Sequence, residues 1–258
     1  MNMYQRFFFL WLSILPVFGL AQAKLKVESQ RVVMGETLNY KASWGLLTIG
    51  SATTRIDKRT YNVNSNRCYK VDISGQTNGV AKLFYVRDRW MAYIDTATIT
   101  THQAFRSIRE GNYQLDEQIH FDQPNRKAEV KVYDKKTKSY VLRKIYDTHD
   151  NVRDVIAGVM TFRLVDLSKY KPGETFTVNG FYEDEGYKID ITYLGEEYIK
   201  TDTGKVKCYK VRPSIPKNNV FDGNHAITIW LSANEAQTIM RVRAKLFIGS
   251  ILVELQNQ

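Results

Sequence analysis

The two cysteines are the residues whose chemistry is easiest to name, because paired cysteines can form a disulfide or bind a metal. Cys68 and Cys208 occur in the same four-residue context, CYKV. Neither belongs to a CxxC motif or has a histidine near it in sequence, which argues against a metal site. In a strand, Tyr69 and Val71 share one face and Cys68 the other, so both cysteines are expected on outer faces. A bond would need Cα atoms within about 7 Å, so we expect free thiols, with a disulfide in an oxidising compartment as the alternative.

Other residues that could carry chemistry do not form a known catalytic pattern. The sequence has no G-x-S-x-G motif, no phosphate-binding loop and no G-x-G-x-x-G motif, and its four histidines lack the spacing of zinc ligands. The run Glu183-Asp184-Glu185 precedes a glycine, as in a solvated hairpin turn, and lacks a full calcium-loop pattern. We therefore predict no enzymatic activity, no metal and no cofactor. A hydrolase with a scattered site is the least favoured alternative.

The N-terminus and the charge predict where the protein resides. Arg6, an apolar run from Phe7 to Leu20 and the small residues Ala21-Gln22-Ala23 form a pattern typical of a cleaved secretory signal peptide over residues 1–23. The protein is therefore expected to be periplasmic or otherwise exported. Its net charge of +10, concentrated in part between Arg126 and Lys144, favours anionic lipid headgroups or envelope polymers over nucleic acid as acidic partners, with solubility alone as the alternative explanation of the charge.

Several short matches indicate that the chain contains two related halves. CYKV occurs twice, Gly35-Glu36-Thr37 recurs as Gly173-Glu174-Thr175, and further aromatic residues match at nearly the same offset. These aromatic matches pair Trp44 with Tyr182 and Trp90 with Trp230. We predict one β-rich domain over residues 24–258, with half-repeats at about 31–147 and 168–258.

The elements that would position these residues are antiparallel strands and one helix. GETLNYKASW, GETFTVNGFY and the CYKV segments alternate apolar and polar residues, the pattern of half-buried strands. The helix is predicted over about 151–163, with Asp150 as its N-cap. Its apolar stripe comprises Val152, Val155, Ile156, Val159 and Met160. The sequence therefore predicts a strongly curved antiparallel sheet or unclosed barrel, with the amphipathic helix packed on its concave face.

Four segments resemble the family called domain of unknown function 3108, which consists of exported bacterial proteins. They are GETLNYKASWGLLTIGSATTRI, DNVRDVIAGVMTFRLVD, GEEYIKTDTGKVKCYKVRP and AITIWLSANEAQTIMRVRAKLFIGSILVEL. The ending of the last segment is also similar, more distantly, to the LolA/LolB group of periplasmic lipoprotein carriers. That resemblance implies an unclosed barrel whose helices plug an apolar cavity, and it implies no catalytic residues.

The functional expectation is a non-enzymatic binder or carrier of an apolar, lipid-like ligand, held on the concave face beneath the helix as a movable lid. The residues expected to contact the ligand are Tyr40, Trp44, Tyr69, Tyr182, Tyr209, Ile156 and Met160. The alternative is a structural or interaction protein in envelope assembly. A monomer is favoured.

Overall fold

The structure, a computed structural model, describes residues 27–28, 31–78, 85–202, 204–215 and 223–256. The predicted signal peptide lies outside these residues. The described chain is mainly β, with a helix α1 (Val155–Leu164) and a short 3-10 helix at Leu167–Lys169. Within these ranges, no helix is both long and apolar enough to cross a membrane.

The strands form a single 14-stranded antiparallel sheet. In chain order they are β1 (Thr37–Trp44), β2 (Leu47–Val63), β3 (Asn66–Thr77), β4 (Arg87–Asp95), β5 (Thr101–Glu110), β6 (Tyr113–Asp122), β7 (Lys127–Asp134), β8 (Ser139–Asp147), β9 (Thr175–Tyr182), β10 (Glu185–Thr201), β11 (Gly204–Pro213), β12 (Ile227–Ser232), β13 (Ile239–Lys245) and β14 (Ser250–Leu255). Consecutive strands pair with each other except for β8 and β9, which are the two edges, and β1 pairs with β14. This confirms the predicted unclosed barrel.

The two halves share local geometry as well as sequence. β1 and β9 have 8 residues each, and β2 and β10 have 17 each. Gly35 and Gly173 both adopt left-handed φ angles, of 82° and 95°, just before these strands. The next residue accepts a 2.9 Å hydrogen bond in each half, from the Ile56 N–H to the Glu36 carbonyl and from the Tyr193 N–H to the Glu174 carbonyl. Glycine tolerates the left-handed turn that starts each unit, which explains the repeated GET.

One proposed match between the halves is wrong. Trp230 lies opposite Lys210, the lysine of the second CYKV, whereas Trp90 lies opposite Ile73. The residue opposite Lys70, the lysine of the first CYKV, is Tyr93. Trp90 and Trp230 therefore lie on opposite faces of the sheet, because side chains alternate between faces along a strand. Sequence spacing alone did not reveal the different lengths of the connections.

The helix begins later than predicted, and its buried stripe is shifted. The N-cap is Asp154, not Asp150, because Asp150 and Asn151 form a turn and Arg153 pairs with β9. Val155, expected mid-stripe, is 40% exposed. The helical residues that are buried are Ile156, Ala157, Met160, Thr161, Phe162 and Leu164.

Helix α1 lies between two apolar clusters, one in each half of the sheet. Ile156, Met160 and Leu164 pack with strands β2 to β7 of the first half. Phe162 and the following Val165 pack with β1 and with strands of the second half. Burial on both sides makes the helix part of the continuous core.

The cysteines are free thiols, as favoured, but they are not solvent-exposed. Both are fully buried, because the outer face carries small apolar clusters of its own. Cys208, for example, packs with Ile199 and Trp230. Burial raises the pKa of each thiol to about 11, so both stay protonated at neutral pH and are poor nucleophiles and metal ligands.

The meander gives the barrel two different rims. Since consecutive strands run in opposite directions, the connections after odd-numbered strands lie at one rim and those after even-numbered strands lie at the other. We call the first the tip rim. We call the second the helix rim, because the chain leaves β8 there to form α1.

Candidate functional site

The seven predicted ligand-binding residues do not line one cavity. Tyr69, Ile156 and Met160 belong to the first apolar cluster, and Tyr40 and Tyr209 belong to the second. The Tyr40 hydroxyl donates to the Ile239 carbonyl at 3.2 Å, and burial raises the pKa of Tyr40 to about 12. The remaining two, Trp44 and Tyr182, end β1 and β9 at the tip rim and are exposed.

The N-terminal end of α1 is fixed by buried hydrogen bonds. The Asp154 carboxylate accepts from the Ala157 N–H at 3.0 Å and from the Thr101 hydroxyl at 2.7 Å. Thr101 Oγ1 in turn accepts from the Asp154 N–H at 2.9 Å. Burial raises the pKa of Asp154, and these hydrogen bonds partly oppose that shift. Beside it, Arg153 exchanges backbone hydrogen bonds with Asn179 and Phe181 of β9. The helix start is therefore tied to both halves of the sheet.

The C-terminal end of α1 is held by a glutamine from the β12–β13 connection. The Gln237 side chain is almost fully buried. Its amide nitrogen donates to the carbonyls of Val165 at 2.6 Å and Arg163 at 3.0 Å, and its oxygen accepts from the Leu167 N–H at 3.2 Å. These contacts satisfy backbone groups that a helix end leaves unpaired.

An ion pair adds a second fixed point at the same end. The Arg163 guanidinium donates to both carboxylate oxygens of Glu36, at 2.5 and 2.9 Å. Both side chains are largely buried. Glu36 directly precedes β1, so this bidentate pair ties the last turn of α1 to the strand that joins the two halves.

A buried ionic cluster lies on the concave face near the open edge of the sheet. Glu117 is fully buried and accepts from Arg106 at 2.8 and 2.5 Å. Arg143 approaches the other Glu117 oxygen at 3.2 Å, a charge contact without hydrogen-bond geometry, and it also pairs with Asp184. Burial opposes ionisation of Arg143, but Asp184 and Glu117 together hold its pKa above the usual value. The four charges cancel, so the cluster has no free charge to offer a ligand.

Two aromatic rings flank this cluster. The Arg106 guanidinium carbon lies 5.3 Å from the Trp90 ring centroid and 5.7 Å from that of Tyr182. The two rings are stacked at 6.1 Å. Burial, followed by the neighbouring Glu183, raises the pKa of Tyr182 to about 12. Tyr182 is thus a neutral packing partner across the gap between the sheet edges.

The ionic cluster was missed in the sequence, although a signal was present. Arg106 lies between Ala104 and Ile108 on the apolar side of β5, and Glu117 lies on the same side of β6, directly opposite Arg106. Two opposite charges on the apolar faces of consecutive strands indicate a buried pair. Arg143 could not be found in this way, because it is the extra residue of a β-bulge in β8.

The tip rim exposes a group of large apolar side chains on two neighbouring turns. We call Trp44, Leu46, Leu47, Phe247 and Ile248 the apolar tips. Leu46 belongs to the β1–β2 turn, and Leu47 is the first residue of β2. Phe247 and Ile248 form the β13–β14 turn. The side chain of Leu46 is fully exposed, and Ile248 is 77% exposed. β1 and β14 are adjacent strands, so the two turns lie side by side.

Two polar surface grooves lie along the sheet. They have volumes of ≈ 530 and ≈ 470 Å³ and share the Ser51–Thr53 stretch of β2. Serine, threonine and arginine side chains dominate the larger one. In the described part of the chain, no group of three or more His, Cys, Asp or Glu residues could hold a metal ion.

Comparison with known proteins identifies a family without a known activity. The family model for "Protein of unknown function (DUF3108)" matches residues 39–256. The crystal structure of a beta-barrel-like protein of domain of unknown function DUF1849 from Brucella abortus is similar in fold, with a TM-score of 0.53 and 9% identity over 87% of this chain and 98% of that chain. No curated protein matches. With most of its length matched, the chain belongs to the DUF3108 family of proteins of unknown function.

Proposed function

We propose that this protein is an exported, non-enzymatic binding protein of the cell envelope that acts through its surface, while its interior serves as a fixed core. The observation that carries this proposal is the attachment of α1 at both ends. Asp154 and Arg153 hold the start, and Gln237 and Arg163 hold the end. A helix bonded in this way supports an interaction protein better than a carrier with a movable lid.

The energetics of lid opening support the same choice. Moving α1 away would expose Ile156 and Met160, and burial of such side chains is worth about 1.5–3 kcal/mol each. It would also separate Arg163 from Glu36, and hydrogen bonds to charged groups are worth about 1.5–3 kcal/mol. An apolar ligand would have to offset the sum of these terms.

A non-enzymatic role fits the state of the reactive groups. Both thiols are buried and protonated. The buried carboxylate Glu117 is shared between Arg106 and Arg143 and is not directed at an open cavity. Catalytic acids and nucleophiles usually lie in an accessible cleft, next to a space that a substrate can enter.

Export rests on the sequence of the N-terminus. The charged start, apolar middle and Ala21-Gln22-Ala23 predict cleavage after Ala23. N-terminal sequencing of protein taken from the envelope fraction should begin at Lys24. Recovery of the uncleaved Met1 form from that fraction would contradict a cleaved signal.

Lipid uptake tests the fixed core. Native mass spectrometry of protein purified from its own envelope fraction should give the apo mass, and a fluorescent fatty acid should not bind in solution. The variant Gln237→Ala, which frees one end of α1, is the matched probe: a carrier limited by its lid would then take up more ligand, whereas a fixed core would not. A bound lipid mass, or saturable one-to-one uptake by the wild-type protein, would overturn the proposal.

A further inference from the structure

The apolar tips are the largest unexplained feature of the surface. Large apolar side chains are usually buried by packing inside the protein. These five residues instead lie in or next to two turns at the tip rim, and their side chains are exposed. We infer that the apolar tips are a membrane-docking site that inserts into the headgroup region of an anionic lipid surface. This inference rests on the proposed function, since it names the partner of a protein that acts through its surface.

The two turns form one platform rather than two independent loops. Trp44 lies opposite Ile251 in the β1–β14 pair, next to the β13–β14 turn. Gly249 has a left-handed φ of 77°, and a Cβ added there would lie 2.5 Å from the Trp44 indole nitrogen. The glycine thus lets the turn backbone pass directly against the indole ring. This contact holds the Trp44 ring of the first turn against the backbone of the second turn.

The charges behind the platform fit an anionic surface. Arg243 and Lys245 lie near the end of β13, directly before the β13–β14 turn. Among the described residues, neither cation forms an ion pair with a carboxylate, and the Arg243 guanidinium carbon lies 5.4 Å from the Trp230 ring centroid. Basic residues near an anionic leaflet are worth about 1 kcal/mol each, and the net positive charge of the protein adds long-range attraction.

The acidic β9–β10 turn indicates how the molecule would be oriented on the lipid surface. Glu183 and Asp184 are at the tip rim, in the turn between β9 and β10, which lie five and four strands away from β14 in the sheet, next to the open edge. Asp184 is paired with Arg143, which cancels its charge. The platform side of the tip rim is therefore expected to face the lipid, with the acidic turn directed away from it.

The shape of the platform favours a lipid surface over a protein partner. Leu46 and Ile248 are exposed on two separate turns, and a folded partner would need a matching socket for each of them. A headgroup layer needs no such match, and Trp side chains prefer its interface. A second copy of the chain, or a protein, remains an outcome that the experiment separates.

Vesicle binding provides the test. The mature wild-type protein, Leu46→Asp/Ile248→Asp and Tyr198→Asp are each co-sedimented with vesicles of phosphatidylglycerol or of phosphatidylcholine. Tyr198 is the matched control, because it is 66% exposed but lies on β10 near the helix rim. We expect binding to phosphatidylglycerol vesicles that weakens as salt is added, a loss of at least tenfold in the tip variant, and no change in the control.

Several results would overturn the inference. They are no binding of the wild-type protein to either vesicle, equal binding of the tip variant, or a dimer without lipid that the tip variant abolishes. Circular dichroism and the melting temperature confirm that each variant is folded. A carrier with α1 as a movable lid would give a different result. The protein would then remove lipid from the vesicles and remain in the supernatant with lipid bound. A supernatant that contains apo protein would reject membrane docking and leave the fixed core intact.

Discussion

The two rims of the barrel differ in whether their side chains are buried in contacts or exposed to solvent. At the helix rim, Gln237, Thr101 and the largely buried Glu36 bond polar groups at the two ends of α1. At the tip rim, the apolar side chains of Leu46 and Ile248 are exposed. The strands thus end at a helix held by hydrogen bonds at one rim and at an exposed apolar surface at the other.

This difference separates stability from function. Buried polar contacts that fix a helix contribute to the free energy of folding, because each unpaired group would cost about 1–3 kcal/mol. Exposed apolar tips contribute almost nothing to folding, so another role must account for them. The predictions below ask whether the two rims really differ in this way.

The largest expected effect is at the centre of the helix. Ile156→Asp places a charge among buried apolar side chains and should destabilise the fold by more than about 4 kcal/mol. The adjacent Val155→Asp is the matched control, since Val155 is exposed in the first turn and should change stability by less than about 0.5 kcal/mol. Urea denaturation measures both. Equal effects would mean that the helix presents a different face to the sheet.

The next effect is at the end of α1. Gln237→Ala removes one acceptor and two donor contacts and should cost about 2–3 kcal/mol in the free energy of unfolding. Ser232→Ala, in the same connection, also removes a side-chain contact to the Thr238 N–H but leaves the helix contacts in place. A loss no larger than that of this control would show that Gln237 does not hold the helix.

The duplicated sequence supplies a control for the ion pair. Glu36→Gln leaves Arg163 without a carboxylate and should cost about 1–2 kcal/mol. Glu174→Gln changes the equivalent residue of the second half, whose exposed side chain accepts a hydrogen bond from the Lys171 N–H. Its expected cost is below about 0.5 kcal/mol. Thermal unfolding compares the two, and similar costs would contradict the asymmetry between the halves.

The smallest effect is at the tip rim. Leu46→Asp/Ile248→Asp should leave the unfolding free energy within about 0.5 kcal/mol of the wild type, because these side chains are exposed in the folded protein. Differential scanning calorimetry checks this. A clear drop in melting temperature would mean that the apolar tips are part of the core.

Alternation along strands predicted much of this fold. The pattern around Tyr40 and Val71 places both residues in the core. The same pattern failed at Trp44, because its position at the end of β1 exposes the ring even though the phase is right. For Cys68 the alternation placed the side chain on the correct, outer face of the sheet. The thiol is nevertheless buried there, because burial depends on neighbouring strands, which a local pattern does not contain.

Contacts between distant segments lie beyond local patterns. Gln237 and the end of α1 are about 70 residues apart in sequence, and no periodicity connects them. The bulge that directs Arg143 toward Glu117 depends on how β8 pairs with β7. The start of α1 was misplaced for a similar reason, since Arg153 pairs with β9 and delays the first helical turn.

Hydrogen exchange with and without phosphatidylglycerol vesicles tests the contrast between the two rims most directly. The amides of α1, Val155–Leu164, should exchange as slowly as those of the central strands, and vesicles should not change their rate. The turns at 45–47 and 246–249 should exchange rapidly in solution and become protected when vesicles are added. Faster exchange in α1 on adding lipid, with unchanged turns, would contradict the account and indicate that the helix is a lid.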